Sequence, residues 1–285
     1  MKKRFLSLIT IILAMVMCLF TFVGCSKDDL KGFDIDLAKA VGEELGIDVE
    51  FKLIDWNMKD MEIREGTIDL IWNGMTITEE RLGNLEISKP YLTNNQVMVV
   101  KADSTLKKAD IVSNTKIVAE NGSAGFDEAK KAFPNSTVTP AKSQIMCLTE
   151  VKAGTSDVAI LDSTLAGFYI NNDESDFKGQ LKIITNSQGQ YDTLSSEQYG
   201  IAAKKGRVAF MAKINDTLAK LYADGTMKDI AKEYGVDQLL VNSSWSDYTN
   251  TFDSLSADQK ADWDKVVNKG KIVIGYTLFA PIAYK

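Results

Sequence analysis

The stretch that decides the fold is KIVIGYTLFAPIAYK, residues 271–285. Its first part, Lys271–Gly275, has the short apolar pattern of a buried β-strand. Phe279-Ala280-Pro281 then has the character of a turn at the end of that strand. A buried strand that ends in an aromatic residue and a proline is typical of one that leads into another element of an α/β fold.

The composition indicates an acidic globular protein. The 285 residues are 45% hydrophobic and 25% charged, enough for one large domain or two modest lobes. The net charge of −6 argues against a nucleic-acid partner. There is no histidine, which excludes Ser-His-Asp and Cys-His nucleophiles, HExxH metal sites and a histidine pH switch. No pair of cysteines has metal-ligand spacing, and we expect Cys147 to be a small buried hydrophobe.

The N-terminus has the pattern of an export signal, in which basic residues at 2–4 precede an apolar run at 5–23. Gly24-Cys25 resembles a bacterial lipobox, so residues 1–24 are expected to be a lipoprotein signal peptide and Cys25 the lipidated residue. Two acyl chains would suffice for stable anchoring. The alternative is an uncleaved anchor, because the run approaches the ~20 residues that a span needs. Both place the body of the protein outside the cytoplasmic membrane.

Helices and strands alternate along the chain. Residues 32–45 carry an apolar helical stripe and are followed by Gly46, a typical helix stop. A strand, IDVEFKLI, and a polar helix over about 58–65 come next. GTIDLIWNGM (66–75) and AGTSDVAILDS (153–163) both contain a helix-ending glycine, a buried strand and a polar strand end. This alternation predicts two α/β lobes with mostly parallel sheets.

Residues 243–262 differ in character from the rest of the chain. Serine and aspartate are frequent there, which favours a linker with one short helix before Gly270. Ser256 and Gln259 have the spacing of a capping box that would open this helix.

Four stretches carry a family resemblance: LKGFDIDLAKAVGEELG (30–46), DLIWNGMTITEER (69–81), AENGSAGFDEA (119–129) and the interrupted YGIAAKKG…INDTLAKLYADGTMKDIAKEYG (199–235). They resemble the polar amino-acid-binding proteins of ABC importers, and the match runs in order over about 29–242. The resemblance implies a two-lobed α/β structure, the type II periplasmic-binding-protein fold.

The resemblance also concerns the order of the chain. In that family the chain opens with a strand like residues 270–285, which runs directly into a segment like 30–46. The sequence therefore resembles a circularly permuted member, and permutation is tolerated where termini lie close together at the surface. The implied parts are a larger lobe (28–99, 200–242 and 263–285), a smaller lobe (100–199), a linker (243–262) and two crossings near Val99–Ala102 and Glu197–Gly200.

A free amino acid requires a cation for its carboxylate, an anion for its ammonium group and a wall for its side chain. In open α/β sheets such ligands lie beyond the carboxyl ends of the strands. From the residues alone, Arg81 reads as a surface charge and Asp162 as a helix N-cap. By resemblance, Arg81 matches the arginine that grips the ligand carboxylate with its two-pronged donor group, and Asp162 matches the acid that holds the ammonium group.

The resemblance implies further ligand-binding residues: Asn73, Gly74 and Thr76 for the α-groups, Ser123 at a helix start of the opposite lobe, and Trp56 and Phe279 against the ligand side chain. Glu120 would face that side chain and would suit a cationic ligand, or it is a solvated charge at a strand end. The family's acidic residue after the first strand is replaced here by Tyr276 and Thr277. Glutamine or another polar amino acid therefore stays open beside a cationic one.

The resemblance implies an extracytoplasmic solute-binding lipoprotein that closes around a polar amino acid and delivers it to the permease of an ABC importer. We expect a monomer anchored to the membrane through its lipid, with no enzymatic activity, no metal and no cofactor. Two alternatives stay open. One is a ligand-sensing binding module, and the other is a dehydratase-like enzyme on the same fold, for which Glu120 is the candidate general acid.

Overall fold

A computed structural model describes residues 30–285, so the expected signal peptide and Cys25 lie outside the described residues. The helices are α1 (Phe33–Leu45), α2 (Lys59–Glu65), α3 (Glu79–Asn84), α4 (Ala124–Ala132), α5 (Gln144–Ala153), α6 (Ser163–Asn171), α7 (Val208–Ala223), α8 (Thr226–Glu233) and α9 (Ala257–Lys269). The strands are β1 (Asp48–Leu53), β2 (Leu70–Thr76), β3 (Leu85–Ile87), β4 (Leu92–Lys101), β5 (Ile117–Glu120), β6 (Val138–Ala141), β7 (Val158–Asp162), β8 (Leu181–Ile183), β9 (Thr193–Lys204) and β10 (Lys271–Tyr276).

The helix ends follow their sequence signals. α1 ends at Gly46, which has the left-handed conformation (φ 65°) that glycine adopts without strain. The predicted capping box is confirmed at α9: the Ser256 side chain accepts from the Gln259 amide, and the Gln259 side chain accepts from the Ser256 amide. α9 ends at Gly270, as predicted.

The strands form one sheet in the order β1-β10-β2-β9-β4-β7-β5-β6. The strands β1, β10 and β2 are parallel, and we call this part of the sheet the β2 end. The strands β7, β5 and β6 are also parallel, and we call this part the β5 end. The middle is antiparallel, because β4 and β9 pair with each other and run between the two ends. The prediction of mostly parallel sheets is therefore right for the two ends and wrong for the middle.

The passage of the chain from one end of the sheet to the other follows from the partners of β4 and β9. β4 pairs with β9 as far as Val97 and with β7 from Gln96 onward. β9 pairs with β4 up to Tyr199 and with β2 from Tyr199 onward. The crossings near Val99–Ala102 and Glu197–Gly200 stay predictions.

The C-terminal strand is an interior strand of the β2 end. β10 pairs in parallel with β1 from Asp48↔Lys271 onward and with β2 on its other edge. The residues after it cap α1, since the first amides of a helix have no partner within the helix. The amide of Phe33 donates to the carbonyl of Pro281 (3.0 Å), and that of Asp34 donates to the carbonyl of Ile282 (3.0 Å).

The serine-rich segment 243–262 is more ordered than the linker we expected. The Asp216 carboxylate on α7 accepts hydrogen bonds from the Tyr248 hydroxyl (2.7 Å) and from the amides of Thr251 (3.1 Å) and Phe252 (3.2 Å). The segment is therefore held against α7, and its last residues, from Ala257, belong to α9.

Residues 31–285 form one compact unit. Cys147 lies in its core, fully buried as predicted, and burial raises the pKa of its thiol well above the usual range. Within residues 30–285, no helix is both long enough and apolar enough to cross a bilayer.

Candidate functional site

A narrow cavity lies where the β2 end and the β5 end face each other. Strand ends and the loops after them supply most of its lining, as expected for an α/β sheet. The β2 end contributes Trp56, Asn73, Gly74, Thr76, Arg81, Thr277, Leu278 and Phe279. The β5 end contributes Glu120, Ser123, Ala124, Gln144, Asp162 and Leu165.

Arg81 is positioned by the start of α3. Thr78 caps this helix, with its side-chain oxygen accepting from the Arg81 amide (3.2 Å). The guanidinium donates to the Thr76 carbonyl (2.7 Å) and, across the cavity, to the Gly122 carbonyl (3.4 Å). The surface-charge interpretation of Arg81 is therefore wrong: the side chain is half-buried and lines the cavity. Its planar fork is the group in the cavity best suited to a carboxylate.

Gly74 forms an irregularity in β2, whose register with β9 shifts between Ile71 and Met75. Its φ of +58° and the Phe279 ring, which a Cβ would approach to 2.5 Å, both require glycine there. The Gly74 amide donates to the buried Asp34 carboxylate (2.8 Å), which also accepts from the Tyr91 hydroxyl (2.8 Å). Asp34 thus holds the strand end that carries Asn73 and Thr76 to the cavity.

Asp34 makes the stability of the protein depend on pH. Burial raises the pKa of this carboxyl to about 7, against the bonds from Tyr91 and Gly74 that lower it. The stabilisation from its bound proton is complete below pH ~4 and is lost as the pH rises through ~7. Asn at this position cannot titrate. The free energy of unfolding of the wild type, relative to Asp34→Asn, should therefore fall by about 2–3 kcal/mol between about pH 5 and about pH 8.

Urea unfolding of both proteins across this pH range measures the difference. Asp48→Asn is the matched control, because Asp48 is exposed and its change should leave the pH profile of the wild type intact. Parallel profiles for Asp34→Asn and the wild type would contradict the assignment.

Asp162 ends β7 and occupies the N-cap position of α6, but its side chain makes no capping bond. The carboxylate instead accepts hydrogen bonds from the side-chain amides of Gln144, Asn94 and Gln96. Gln144 also accepts from the Asp162 amide (3.0 Å), so the acid is held on both sides. Burial, followed by the nearby charge of Glu197, raises the pKa of Asp162 to about 8.

Glu120 ends β5 and is 5% exposed, so the interpretation as a solvated charge is wrong. Burial and then Asp162 raise its pKa to about 8, while the charge of Lys59 acts in the opposite direction. Lys59 is itself 3% exposed. It donates to the Gly122 carbonyl (3.1 Å), the same oxygen that accepts from Arg81.

The remaining predicted residues also line the cavity. Ser123 caps α4, since its hydroxyl accepts from the Phe126 amide (3.1 Å). Asn73 donates to the Thr277 hydroxyl (2.9 Å), which ties the end of β2 to the loop after β10. Trp56 and Phe279 are buried aromatic residues of the lining. All nine residues predicted from the sequence as ligand-binding thus meet at one cavity.

Sequence reasoning missed other residues of this region, among them Gln144 and Glu197. A signal existed for Gln144: it stands one helical turn before Cys147 and Leu148, and so lies on the buried face of α5. A glutamine on such a face requires polar partners. For Glu197 we find no sequence signal, because its neighbours in β9 are also polar.

The chain belongs to the bacterial extracellular solute-binding proteins, family 3, whose sequence pattern matches residues 10–237. The glutamine-binding protein GlnH of a Bacillus subtilis ABC transporter is 29% identical over 220 residues, which are 76% of this chain and 77% of that protein.

Two solved structures agree with this family. The substrate-binding protein of an ABC uptake transporter from Streptococcus pneumoniae, with bound histidine, has a TM-score of 0.65 and 30% identity over 73% of this chain and 85% of that one. An ancestral arginine-binding protein bound to arginine has a TM-score of 0.62 and 33% identity over 71% of this chain and 87% of that one. The fold is therefore that of the type II periplasmic-binding proteins, and these relatives are amino-acid-binding proteins.

Proposed function

We propose that the protein is an extracytoplasmic solute-binding lipoprotein that captures a free polar or cationic amino acid between two lobes and delivers it to an ABC importer. One observation carries the proposal: a single cavity combines the guanidinium of Arg81 with the buried carboxyl group of Asp162. These are the complements of the two charged groups that every free amino acid carries. The amino-acid-binding relatives support the same class of ligand.

In this proposal Arg81 binds the ligand carboxylate, and Thr76 and the backbone around Gly74 lie beside the ligand's α-groups. Asp162 accepts the ammonium group, and Trp56 and Phe279 pack on the side chain. Charge-assisted hydrogen bonds of this kind contribute about 1.5–3 kcal/mol each. No bond of the ligand is made or broken, so binding requires only the correct positions of these groups.

Two cationic side chains that donate to the Gly122 carbonyl support a closing motion. Lys59 and Arg81 belong to the β2 end, and both donate to this one carbonyl of the β5 end (3.1 and 3.4 Å). Contacts of this kind exist only while the two ends lie close together. A ligand that binds Arg81 and Asp162 simultaneously would add to them and shift the population towards the closed form.

A thermal-shift scan against the common L-amino acids tests the proposal. An amino acid present at about 100 times its Kd should stabilise the protein by about 2.7 kcal/mol. Upshifts with one or a few amino acids would establish binding and identify the ligand. A folded protein that responds to none of them would refute the proposal.

Glu120 should select for a positive charge on the ligand side chain. A cationic side chain would ionise this buried carboxyl and pair with it, whereas a neutral side chain has no such effect. In Glu120→Gln, the Kd for L-arginine should rise at least about tenfold, and the Kd for L-glutamine should change much less. Calorimetric titration of both ligands measures the ratio, and Glu79→Gln, on the exposed side of α3, is the matched control. An equal loss of affinity for both ligands would show that Glu120 does not discriminate between charged and neutral side chains of the ligand.

We also propose that the chain is circularly permuted within its family. The position of β10 between β1 and β2, and the capping of α1 by the residues after β10, support this order. The end of the family match at residue 237, before β10, agrees with it. The lobes would then be 28–99 with 200–242 and 263–285, and 100–199.

The anchoring and the partners belong to the same proposal. Cys25 carries the lipid that holds the protein on the outer face of the cell membrane, and a membrane permease receives the amino acid from a monomeric binding protein. The pattern of residues 1–25 and the ABC-transporter relatives support these two steps.

A further inference from the structure

Two carboxylates share the same hydrogen-bond donors beside the cavity. The Asn94 side-chain amide donates both to Asp162 Oδ1 and to Glu197 Oε1 (2.7 Å to Glu197). The Gln96 side-chain amide also donates to both oxygens (2.7 Å to Asp162, 2.8 Å to Glu197). Two carboxyl groups are thereby held together by four hydrogen bonds from two neutral amides.

The sheet fixes this arrangement. In the β4–β9 ladder Asn94 lies opposite Glu197, and in the β4–β7 ladder Gln96 lies opposite Asp162. Asn94 and Gln96 are two positions apart on β4, so their side chains share one face. The orientation of the Asn94 amide is also determined, because its oxygen accepts from the Thr164 hydroxyl (2.9 Å). The two carboxyl groups therefore remain neighbours as long as β4 remains paired.

The charged groups around the pair do not neutralise it. The positive charge of Arg81 attracts both acids, but no hydrogen bond joins it to either of them among the described residues. Its guanidinium donates to the carbonyls of Thr76 and Gly122. Lys59 bonds the Gly122 and Trp56 carbonyls. Glu120 on β5 adds a further acid near Asp162.

Further uncharged groups face the pair from α5, β2 and β9. They are the Gln144 amide on α5, which donates to Asp162, the Thr76 hydroxyl on β2, which donates to Glu197 (2.9 Å), and the Tyr199 hydroxyl on β9, near Asp162. Hydroxyls and amides supply hydrogen bonds but no positive charge. Two carboxyl groups this close cannot both ionise easily without a cation, so one proton is shared between them.

We propose that Asp162 and Glu197 hold one proton in the ligand-free protein and exchange it for the ammonium group of the bound amino acid, so that binding releases a proton. This inference rests on the proposed function, which brings the ammonium group to Asp162. The ammonium group keeps its own three protons and donates to Asp162, both carboxyl groups become carboxylates, and the shared proton leaves to solvent. Glu197 does not line the cavity, so it acts as a positioning residue that sets the charge of Asp162.

The proton has a route that avoids the ligand cavity. Glu197 is only half-buried and lines a separate surface depression with Thr93, Asn95 and Gln198. Water in this depression can accept the proton from Glu197 while the cavity is closed around a ligand. Release therefore does not require the lobes to open.

Calorimetric titration in two buffers of different ionisation enthalpy tests the proposal, with L-glutamine and L-arginine as probes. In the wild type at about pH 7, binding of L-glutamine should release about one proton, and binding of L-arginine should release more, because its side chain also ionises Glu120. Glu197→Gln removes the second carboxyl group at nearly constant shape, and should release clearly fewer protons, because burial alone then raises the pKa of Asp162. Glu79→Gln, which changes an exposed acid, should match the wild type. Wild-type binding heats that are independent of the buffer, or equal release from Glu197→Gln, would overturn the proposal.

A second measurement requires no ligand, and so separates this proposal from the proposed function. The pKa of Asp162 is raised in the folded state, so its contribution to stability is present at low pH and is lost as the pH rises through about 8. The melting temperature of the wild type should therefore fall more steeply between about pH 6 and about pH 8 than that of Glu197→Gln. If neither probe binds, a steeper wild-type profile still supports the shared proton, and coincident profiles overturn it.

Discussion

Deletion of residues 271–285 is expected to leave the protein unfolded. The deleted segment contains five large buried apolar residues, namely Ile272, Val273, Ile274, Phe279 and Ile282. Burial of each contributes about 1.5–3 kcal/mol, so the segment contributes about 7–15 kcal/mol, which is comparable to the whole stability of a typical domain. The deletion also separates β1 from β2 and exposes the first amides of α1. Circular dichroism and a urea titration measure the outcome.

A rearranged protein is the matched control for this deletion. Residues 256–285 placed ahead of Leu30 through a short flexible linker, in a chain that ends at 255, restore every strand of the sheet in a different order. The bridge between Lys31 and Tyr284 shows that the two segments to be joined are already neighbours (2.8 Å for both hydrogen bonds). We expect this protein to fold and to bind the same amino acid. A cooperative unfolding transition in the deletion variant would contradict the prediction, and an unfolded rearranged protein would contradict the proposed permutation.

Replacement of Arg81 by Met is expected to abolish measurable amino-acid binding. Met retains much of the apolar stem but has no donor for the ligand carboxylate, which would then be buried without a cation. Removal of one partner of a buried charge pair costs about 2–5 kcal/mol, or roughly 30-fold to several thousand-fold in Kd. Arg81→Lys should recover only part of the affinity, because an ammonium group lacks the two-pronged geometry. Calorimetric titration with the amino acid found in the thermal-shift scan measures each Kd.

Arg64→Met is the matched control for this experiment. Arg64 is an exposed arginine on α2 whose side chain pairs with Glu65 at the surface (3.4 Å). Exposed pairs of this kind contribute little, so neither stability nor binding should change much. If a folded Arg81→Met protein bound the amino acid with a Kd within threefold of the wild-type value, Arg81 would not be a ligand-binding residue.

The elements with a strong local signal were predictable from the sequence. Gly46 and Gly270 mark helix ends, and Ser256 with Gln259 marks a helix start, because these signals depend only on neighbouring residues. The antiparallel middle of the sheet was not predictable in this way. Pairing between β4 and β9 joins residues about a hundred positions apart, and no local pattern encodes it.

The same distinction applies to the candidate site. Arg81 and Asp162 stand in stretches that resemble a known family, and strand ends are where α/β folds collect their ligands. Glu197 lies in the polar run SSEQ, where it resembles any exposed charge of an edge strand. Its proximity to Asp162 follows from Asn94 and Gln96, which donate to both acids. That arrangement depends on three paired strands, and no single segment of the sequence encodes it.

The position of β10 also has a consequence for how the chain acquires its structure in time. β1 and β10 are hydrogen-bonded neighbours, yet almost the whole described chain is synthesised between them. Contacts between residues so far apart close large loops and slow folding, in contrast to helices and hairpins that form locally. The β2 end therefore stays incomplete until the last strand is available, while the β5 end can assemble from earlier residues. β1 and β2 must wait for the strand that lies between them, so their unpaired edges stay exposed during that time.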